Sequence, residues 1–342
     1  MTNTLKIFFL GIALVFQSCL NDNAVPVDDI VLDETAEILR YLESIGDFPN
    51  TELAPALVTA TELYNNNSQY FILDIRTPQE FSAGHIDLAI NISSAKLYGA
   101  VDSLSINYPN KKIAVVSKNG QASSYFVCLL RLAGYENVYS LNYGMASWNM
   151  FFANEWFSAL NDVDHTFINT EYPKKSFTHL PKLEFPSSLK TIQEKTIYRI
   201  KEIIGKDFIN GIGYIEKYST SIANTHFLVC YGQPGLYGAP RDLGSRGHPE
   251  NAVWYRDAYL FEFRSVNSLQ TLPNEQPILI YSGDGQLSAC MAAYLTVLGY
   301  DVKTLLFGAN QLFYWRLNAD PLLAEYVFST SDVMNYPYVS GN

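Results

Sequence analysis

The chain has 342 residues, enough for two domains at the usual size of roughly 150 residues each. Hydrophobic residues make up 48% and charged residues 17%, a balance that fills packed cores and excludes a disordered chain. A formal net charge of -11, with no cluster of Lys and Arg, excludes a nucleic-acid partner.

The first 18 residues, MTNTLKIFFLGIALVFQS, carry one cation, Lys6, ahead of an apolar run too short to span a bilayer. Cys19 follows at once, and then the polar stretch LNDNAVPVDD. The pattern resembles a bacterial lipoprotein signal, with Phe16 and Gln17 where such signals usually have Leu or Val and a small residue. The resemblance implies a lipid on Cys19 and a globular body tethered to a membrane of the cell envelope, in the periplasm or at the cell surface. A plain secretory signal is the alternative. Cys128, Cys230 and Cys290 remain in the body, an odd number set in apolar helices and an apolar strand. They read as buried structural thiols and not as a disulfide framework.

Over 31–45, Val31, Ile38, Leu39, Leu42 and Ile45, with acids early, predict an amphipathic helix packed on the first unit. The stretch 57–66 reads as another short helix, capped by Thr51 or Thr59. Residues 70–76, YFILDIR, form a mostly apolar run of strand length, as in a strand covered on both faces. A short helix starts at Thr77-Pro78 and stops at Gly84, and His85-Ile86 lead to a second strand at 89–92. Next comes IAVVSKNGQASSYFVCLLRLAGY at 113–135: an apolar strand, a small polar loop, an apolar helix and Gly-Tyr. A strand at 138–141 and a helix start at 144–148 close the unit. From about 154 to 188, Pro173, Pro181 and Pro186 among Lys174, Lys175 and Lys182 read as an extended connector. The stretch 191–204 is an amphipathic helix leading into a second unit.

That second unit repeats the plan. ILIYSGDGQLSACMAAYLTVLGY at 278–300 echoes the earlier stretch. Ser117, Gly120, Ser123, Gly134 and Tyr135 recur in order, at a constant offset, as Ser282, Gly285, Ser288, Gly299 and Tyr300. FLVCY at 227–231 matches the strand at 71–75, and Gly247-His248 matches Gly84-His85. Alternating β and α elements in two copies predict an α/β protein, each copy a small parallel-type sheet with helices on both faces. The boundaries drawn are a signal over 1–18, a lipidated linker and N-terminal helix over 19–50, and the first unit over 51–153. A connector with its leading helix follows over 154–204, then the second unit over 205–328 and a tail over 329–342.

FILDIRTPQEFSAGHIDLAINI followed by KKIAVVSKNGQASSYFVCLLRLAGYENVYSLNYGMASW resembles the rhodanese (sulfurtransferase) domain nearly end to end. The likeness lies in Asp74-x-Arg76, in Glu80-Phe81 with Gly84-His85-Ile86, in the loop, and in the Gly-Tyr, Gly-Met and Trp close, over about 55–150. The second copy is similar in its loop half and weaker before it, with Cys230 and Gly232 where the first has Asp74 and Arg76. The resemblance implies a tandem rhodanese protein. An active member has cysteine first in the loop, whose thiolate accepts a sulfane sulfur while loop N–H groups and the helix N-terminus hold the anion. Ser117 and Ser282 stand there instead, and a serine hydroxyl forms no persulfide. A phosphatase on the same fold needs the same cysteine and a terminal loop arginine, where this chain has Ala122-Ser123 and Leu287-Ser288.

What the loops retain is a cradle. Ser117, Lys118, Asn119, Gly120, Gln121, Ala122 and Ser123 are expected to form a weak anion site, with Lys118 adding charge. Ser282, Gly283, Asp284, Gly285, Gln286, Leu287 and Ser288 form the second loop, where Asp284 either repels an incoming anion or accepts the loop's own N–H groups, so that this loop is expected to be the poorer anion binder. Asp74 with Arg76, and His85 and His248, are expected to be structural. No metal and no cofactor is expected. The resulting expectation is a degenerate binding or scaffolding module, tethered by lipid, with a weak anion or a protein as partner. The alternative is a thiosulfate-type sulfurtransferase.

Overall fold

The computed structural model describes residues 33–51, 53–161, 167–206, 214–215, 217–238, 247–256 and 262–341. The signal segment and Cys19 lie outside them. Among the described residues no helix is long and apolar enough to cross a membrane.

The first half runs α1 (Glu34–Ser44), β1 (Leu57–Val58), α2 (Ala60–Asn65), β2 (Tyr70–Asp74), α3 (Pro78–Ala83), β3 (Ile90–Asn91) and α4 (Leu97–Asn107). It continues with β4 (Lys112–Val116), α5 (Gln121–Leu132), β5 (Val138–Leu141), α6 (Met145–Trp148) and α7 (Asn154–Ala159). After a long extended stretch, α8 (Ile192–Ile204) leads to β6 (Tyr214–Ile215), α9 (Thr220–Thr225), β7 (Phe227–Tyr231), α10 (Pro234–Tyr237) and β8 (Val253–Tyr255). The chain ends through α11 (Val266–Leu269), β9 (Ile278–Tyr281), α12 (Gln286–Val297), β10 (Val302–Leu305) and α13 (Ala309–Ala319).

The strands form two five-stranded sheets, ordered β1-β5-β4-β2-β3 and β6-β10-β9-β7-β8, with every pairing parallel. The two orders are the same once the second set is renumbered from its first strand. The α/β expectation is therefore met in topology as well as in class. Central strands β4 and β9 are buried on both faces, which is why they read as unbroken apolar runs.

Helices α5 and α12 are apolar on almost every side because each lies between its own sheet and the other. They pack against each other more extensively than any other two elements, and one hydrophobic core runs from Leu73 and Val115 through Cys128 and Cys290 to Tyr231 and Ile280. Helix α8 does not simply lead into the second half. Started by a Thr191–Glu194 capping box, it packs on α1, α4, α5 and α12 together, and Arg199 donates to the last carbonyls of α12, at Thr296 and Val297.

Two further expectations need correction, and the tail adds an observation. Leu57–Val58 is an edge strand beside β5, and the following helix starts only after Thr59, whose hydroxyl accepts from Glu62 N–H. The connector begins with a helix, α7, held by Trp156 buried among Tyr143, Phe307 and Phe328. The tail is not free. Its N–H groups at Met334 and Tyr336 reach Ser147 O and Trp148 O, Val339 pairs antiparallel with His85, and Tyr336 stacks on Tyr64. These are long-range pairings, invisible to local periodicity.

A buried acid cluster joins α1 to the second half. The Asp47 carboxylate is 1% exposed and accepts from Asn50 Nδ2 at 2.6 Å and Tyr294 Oη at 2.8 Å. Glu43, one turn back on α1, pairs with Arg264. Burial, followed by the neighbouring Glu43, pushes the Asp47 carboxyl up to about 8. Between the ordinary carboxylate range and that value the folded chain holds a proton that the unfolded chain has released, so stability falls as pH rises through this window. The melting temperature is expected to drop from pH 5 to pH 8. Asp47→Asn should flatten that slope, measured by thermal denaturation at both pH values; an unchanged slope rules Asp47 out as its source.

Candidate functional site

Each loop between a central strand and its helix is built in the same way. Gly120 and Gly285 precede their helices at φ +90° and +83°, a left-handed conformation that turns the chain sharply from strand to helix. Ser117 Oγ accepts from the N–H groups of Gly120 (3.1 Å) and Ser123 (3.3 Å), and Ser282 Oγ accepts from Ser288 N–H (3.0 Å). Both serines are buried, at 3% and 2% exposure. Behind them run hydroxyl chains: Ser117–Ser123–Ser140–Ser124 in the first half and Ser288–Thr304 in the second.

The third loop residue folds back on its own helix in both halves. Asp284 Oδ1 accepts Gln286 N–H at 2.9 Å, as its position in the sequence predicts. Asn119 Oδ1 does the same for Gln121 N–H at 3.1 Å, which occupies one N–H group of the first loop. The reason is that an amide oxygen and a carboxylate oxygen make the same short turn. Burial raises the Asp284 carboxyl above its usual range, against the pull of its bonds to Gln286.

Gln121 and Gln286, grouped above with the anion-binding atoms, turn away from both loop mouths and cross to the opposite half. Gln121 Nε2 donates to Gly285 O (3.1 Å) and Leu305 O (3.0 Å), and its Oε1 accepts Phe307 N–H (2.7 Å). In return Gln286 Oε1 accepts Tyr143 N–H (2.9 Å), while its Nε2 donates to Asn142 Oδ1 and Asp284 Oδ2, both at 2.8 Å. The glycines make room for this exchange. A Cβ on Gly120 would stand 2.4 Å from Gln286 Oε1, and one on Gly285 would stand 2.4 Å from Gln121 Nε2. Ser123 and Ser288 belong to the buried hydroxyl chains, and Ala122 and Leu287 pack on the core.

The two loops differ at their mouths. Ser117, Lys118, Asn119 and Ala122 line one end of a cleft that also takes in Arg76, Glu80, Glu155 and Leu306, with a volume of about 390 Å³ there. Its continuation, about 750 Å³, shares Arg76, Glu80, Lys118, Glu155 and Leu306 and adds Phe151, Phe152, Lys217 and Gln311. Lys118 does not offer an unopposed charge: its Nζ lies 3.3 Å from Glu155 Oε2 and 3.7 Å from Glu80 Oε1. The second loop is covered. A Cβ on Gly283 would fall 2.2 Å from the Tyr326 ring, and Leu323 packs closely over Gly235. Glu155, Lys217 and Tyr326 carried no local sequence signal, because they come from segments distant in the chain from the loops they approach.

Asp74 and Arg76 form the expected ion pair below the first loop, 2.6 Å long and buried, and Arg76 Nη2 also donates to Gly84 O. The rings of His85 and His248 stack on Phe81 and Tyr237, and each Nδ1 bonds a backbone carbonyl, at Phe81 and Tyr237. Cys128, Cys230 and Cys290 are free and buried. Burial pushes the Cys230 thiol up to about 12 and holds Cys128 well above the ordinary thiol range, where the adjacent Cys290 adds to the effect. Among the described residues no three His, Cys, Asp or Glu side chains gather as a metal site.

The family model described as "Rhodanese-like domain" matches residues 59–151. Curated proteins similar in sequence include two named thiosulfate sulfurtransferase GlpE. That of Shewanella oneidensis is 32% identical over 78 residues, 23% of this chain and 74% of the relative. That of Ectopseudomonas mendocina is 29% identical over 96 residues, 28% and 84% of the two chains. Among solved structures, a rhodanese-related protein from Thermoplasma volcanium is 30% identical, covering 27% of this chain and 87% of its own, at a TM-score of 0.23. The 3-mercaptopyruvate sulfotransferase SseA of Escherichia coli is 18% identical, covering 74% and 97%, at a TM-score of 0.26.

The crossed glutamines make a quantitative expectation. Gly120→Ala should cost about 2–5 kcal/mol, from the left-handed backbone and from overpacking against Gln286 Oε1 and the Tyr143 backbone. Gln286→Ala alone should cost about 1–3 kcal/mol by leaving Tyr143 N–H unpaired. Because the second change removes one of the atoms that the first collides with, the double variant should be less destabilised than the two single effects added together. Urea denaturation of the four proteins measures this; strict additivity would show that Gly120 does not accommodate Gln286.

Proposed function

The chain belongs to the rhodanese-like family, and from that premise we propose that it is a tandem member without sulfur-transfer activity, working as a binding module. The observation that carries this reading is the pair Ser117 and Ser282. Each opens a strand–loop–helix turn at the position where an active rhodanese has its cysteine, and each hydroxyl is held by loop N–H groups. A serine oxygen without a neighbouring base is a poor nucleophile and cannot carry a sulfane sulfur. The other thiols do not substitute. All three are buried, and burial keeps Cys128 and Cys230 protonated.

In this reading the second half is a rhodanese-like domain as well, supported by its identical strand order and by the shared serine and glycine spacing. The cleft beside Ser117 is the surface that takes a ligand, and the second site is closed by Tyr326. The Cys19 pattern supports attachment of the module to a membrane of the bacterial cell envelope through an N-terminal lipid. The names of the curated relatives keep one alternative in play, a thiosulfate sulfurtransferase.

Thiosulfate:cyanide sulfur transfer separates the two. The wild-type chain is expected to show no turnover, and any turnover lost in Ser117→Ala would overturn the proposal. Ser117→Cys, placed among the same N–H donors, is expected to gain a persulfide adduct visible by mass spectrometry after incubation with thiosulfate.

A further inference from the structure

We infer that the cleft beside the first loop is a site for a small zwitterion, a molecule with an ammonium and a carboxylate on one apolar frame, such as a free amino acid with a hydrocarbon side chain. The inference rests on the reading of that cleft as a ligand site and adds the ligand's chemistry to it.

The charges on the cleft wall are arranged in alternation. Lys118 is half-exposed, at 52%, and lies between Glu155 at 3.3 Å and Glu80 at 3.7 Å. Glu80 is fixed from behind, because its Oε2 closes the capping box of α3 with the N–H and hydroxyl of Thr77, which leaves Oε1 toward Lys118. Arg76 lines the same cleft, with Nε and Nη2 committed to Asp74 and Gly84 O and its charge balanced by Asp74. What is left to recognise a ligand is Lys118 between two carboxylates, with a second cation, Lys217, farther along the cleft.

A ligand with only a negative charge that takes Lys118 draws it away from both glutamates and then sits beside two uncompensated carboxylates, whereas at Lys217 it forgoes the contacts around Lys118. One with only a positive charge meets Lys118 already in place. A zwitterion replaces each contact that it breaks: its carboxylate takes Lys118, and its ammonium takes Glu155 and Glu80 Oε1. The pairs exchanged are solvent-exposed and individually weak, so the exchange is close to neutral and the apolar part decides affinity. For that part the cleft offers Met145, Phe151, Phe152 and Leu306. Phe151 is 60% exposed, an aromatic surface that a hydrocarbon side chain would cover. A cleft of about 750 Å³ lies in the range of small-molecule sites.

The test is isothermal titration of the full chain with L-phenylalanine, L-leucine and L-methionine, against phenethylamine, which keeps only the ammonium, and 3-phenylpropionate, which keeps only the carboxylate. At least one amino acid is expected to bind, and to bind at least about tenfold more tightly than either single-charge compound. Lys118→Met and Glu155→Gln, both changes at partly exposed side chains, should each weaken it by about tenfold while leaving the melting temperature in place. If 3-phenylpropionate binds as tightly as phenylalanine, the zwitterion is overturned and the cleft remains a ligand site. If none of the five binds, the inference falls. Neither result touches the sulfur-transfer assay, whose turnover would overturn the binding-module reading by itself.

Discussion

The structure depends on two glutamine side chains that cross. Gln121 and Gln286 are the first residues of the two central helices, and each is fully buried and hydrogen-bonded to the other half. A neutral amide has two donor hydrogens and an acceptor oxygen, and here both are used on each side. Left unmade, those bonds would strand Tyr143 N–H and Phe307 N–H in the interior at about 1–3 kcal/mol each. The crossing fixes more than stability. It ties each loop to the opposite half, and it makes each loop's shape a property of both halves.

From that symmetric joint the halves diverge. The first loop opens on a cleft, and the second lies under Tyr326. The same divergence shows in how one carbonyl is capped. In the first half Gly84 O accepts from Arg76, which extends from the end of β2 and is paired with Asp74. At the matching strand position the second half has Gly232, and the equivalent carbonyl, Gly247 O, is met by Arg316 from α13, which also donates to Leu236 O. Arg316 is buried against the Phe313 ring, and burial pulls its pKa down. Both halves thus cap this carbonyl with a guanidinium, delivered from two different elements.

Sequence reasoning reached what is local. Alternation of strand and helix, the repeat, the serine at the head of each loop, the Asp284 cap and the Asp74–Arg76 pair all lie within a few residues of their cause. What it missed was set by contacts between distant segments. The strand at Leu57–Val58 is two residues long and exists only because β5 lies beside it. The tail is ordered by the Trp148 and Tyr64 rings, whose partner Tyr336 comes much later in the chain. Lys118 reads as an anion ligand only while Glu155 is out of sight, on a helix that the prolines of the connector mask. One signal for the crossing does stand in the sequence: both loops read Gly-Gln at the same repeat position. A polar residue kept at the start of two otherwise apolar helices calls for a buried partner, and only the other copy was placed to supply it.

The serine hydroxyls fit this frame as participants and not as gaps. An oxygen at Ser117 stands 2.9 Å from Ser123 Oγ and 3.1 Å from Gly120 N–H, distances suited to oxygen and short for sulfur. The chain of hydroxyls continues through Ser140 to Ser124, tying the loop to β5 and to the second turn of α5. In the second half Ser288 bonds Thr304 on β10, and the Gln121 amide bonds the next carbonyl along that strand, at Leu305. A loop whose first side chain is part of such a network is held rigid by it. That rigidity suits a wall of a binding cleft, where geometry is fixed in advance and the ordering cost of binding is lowered.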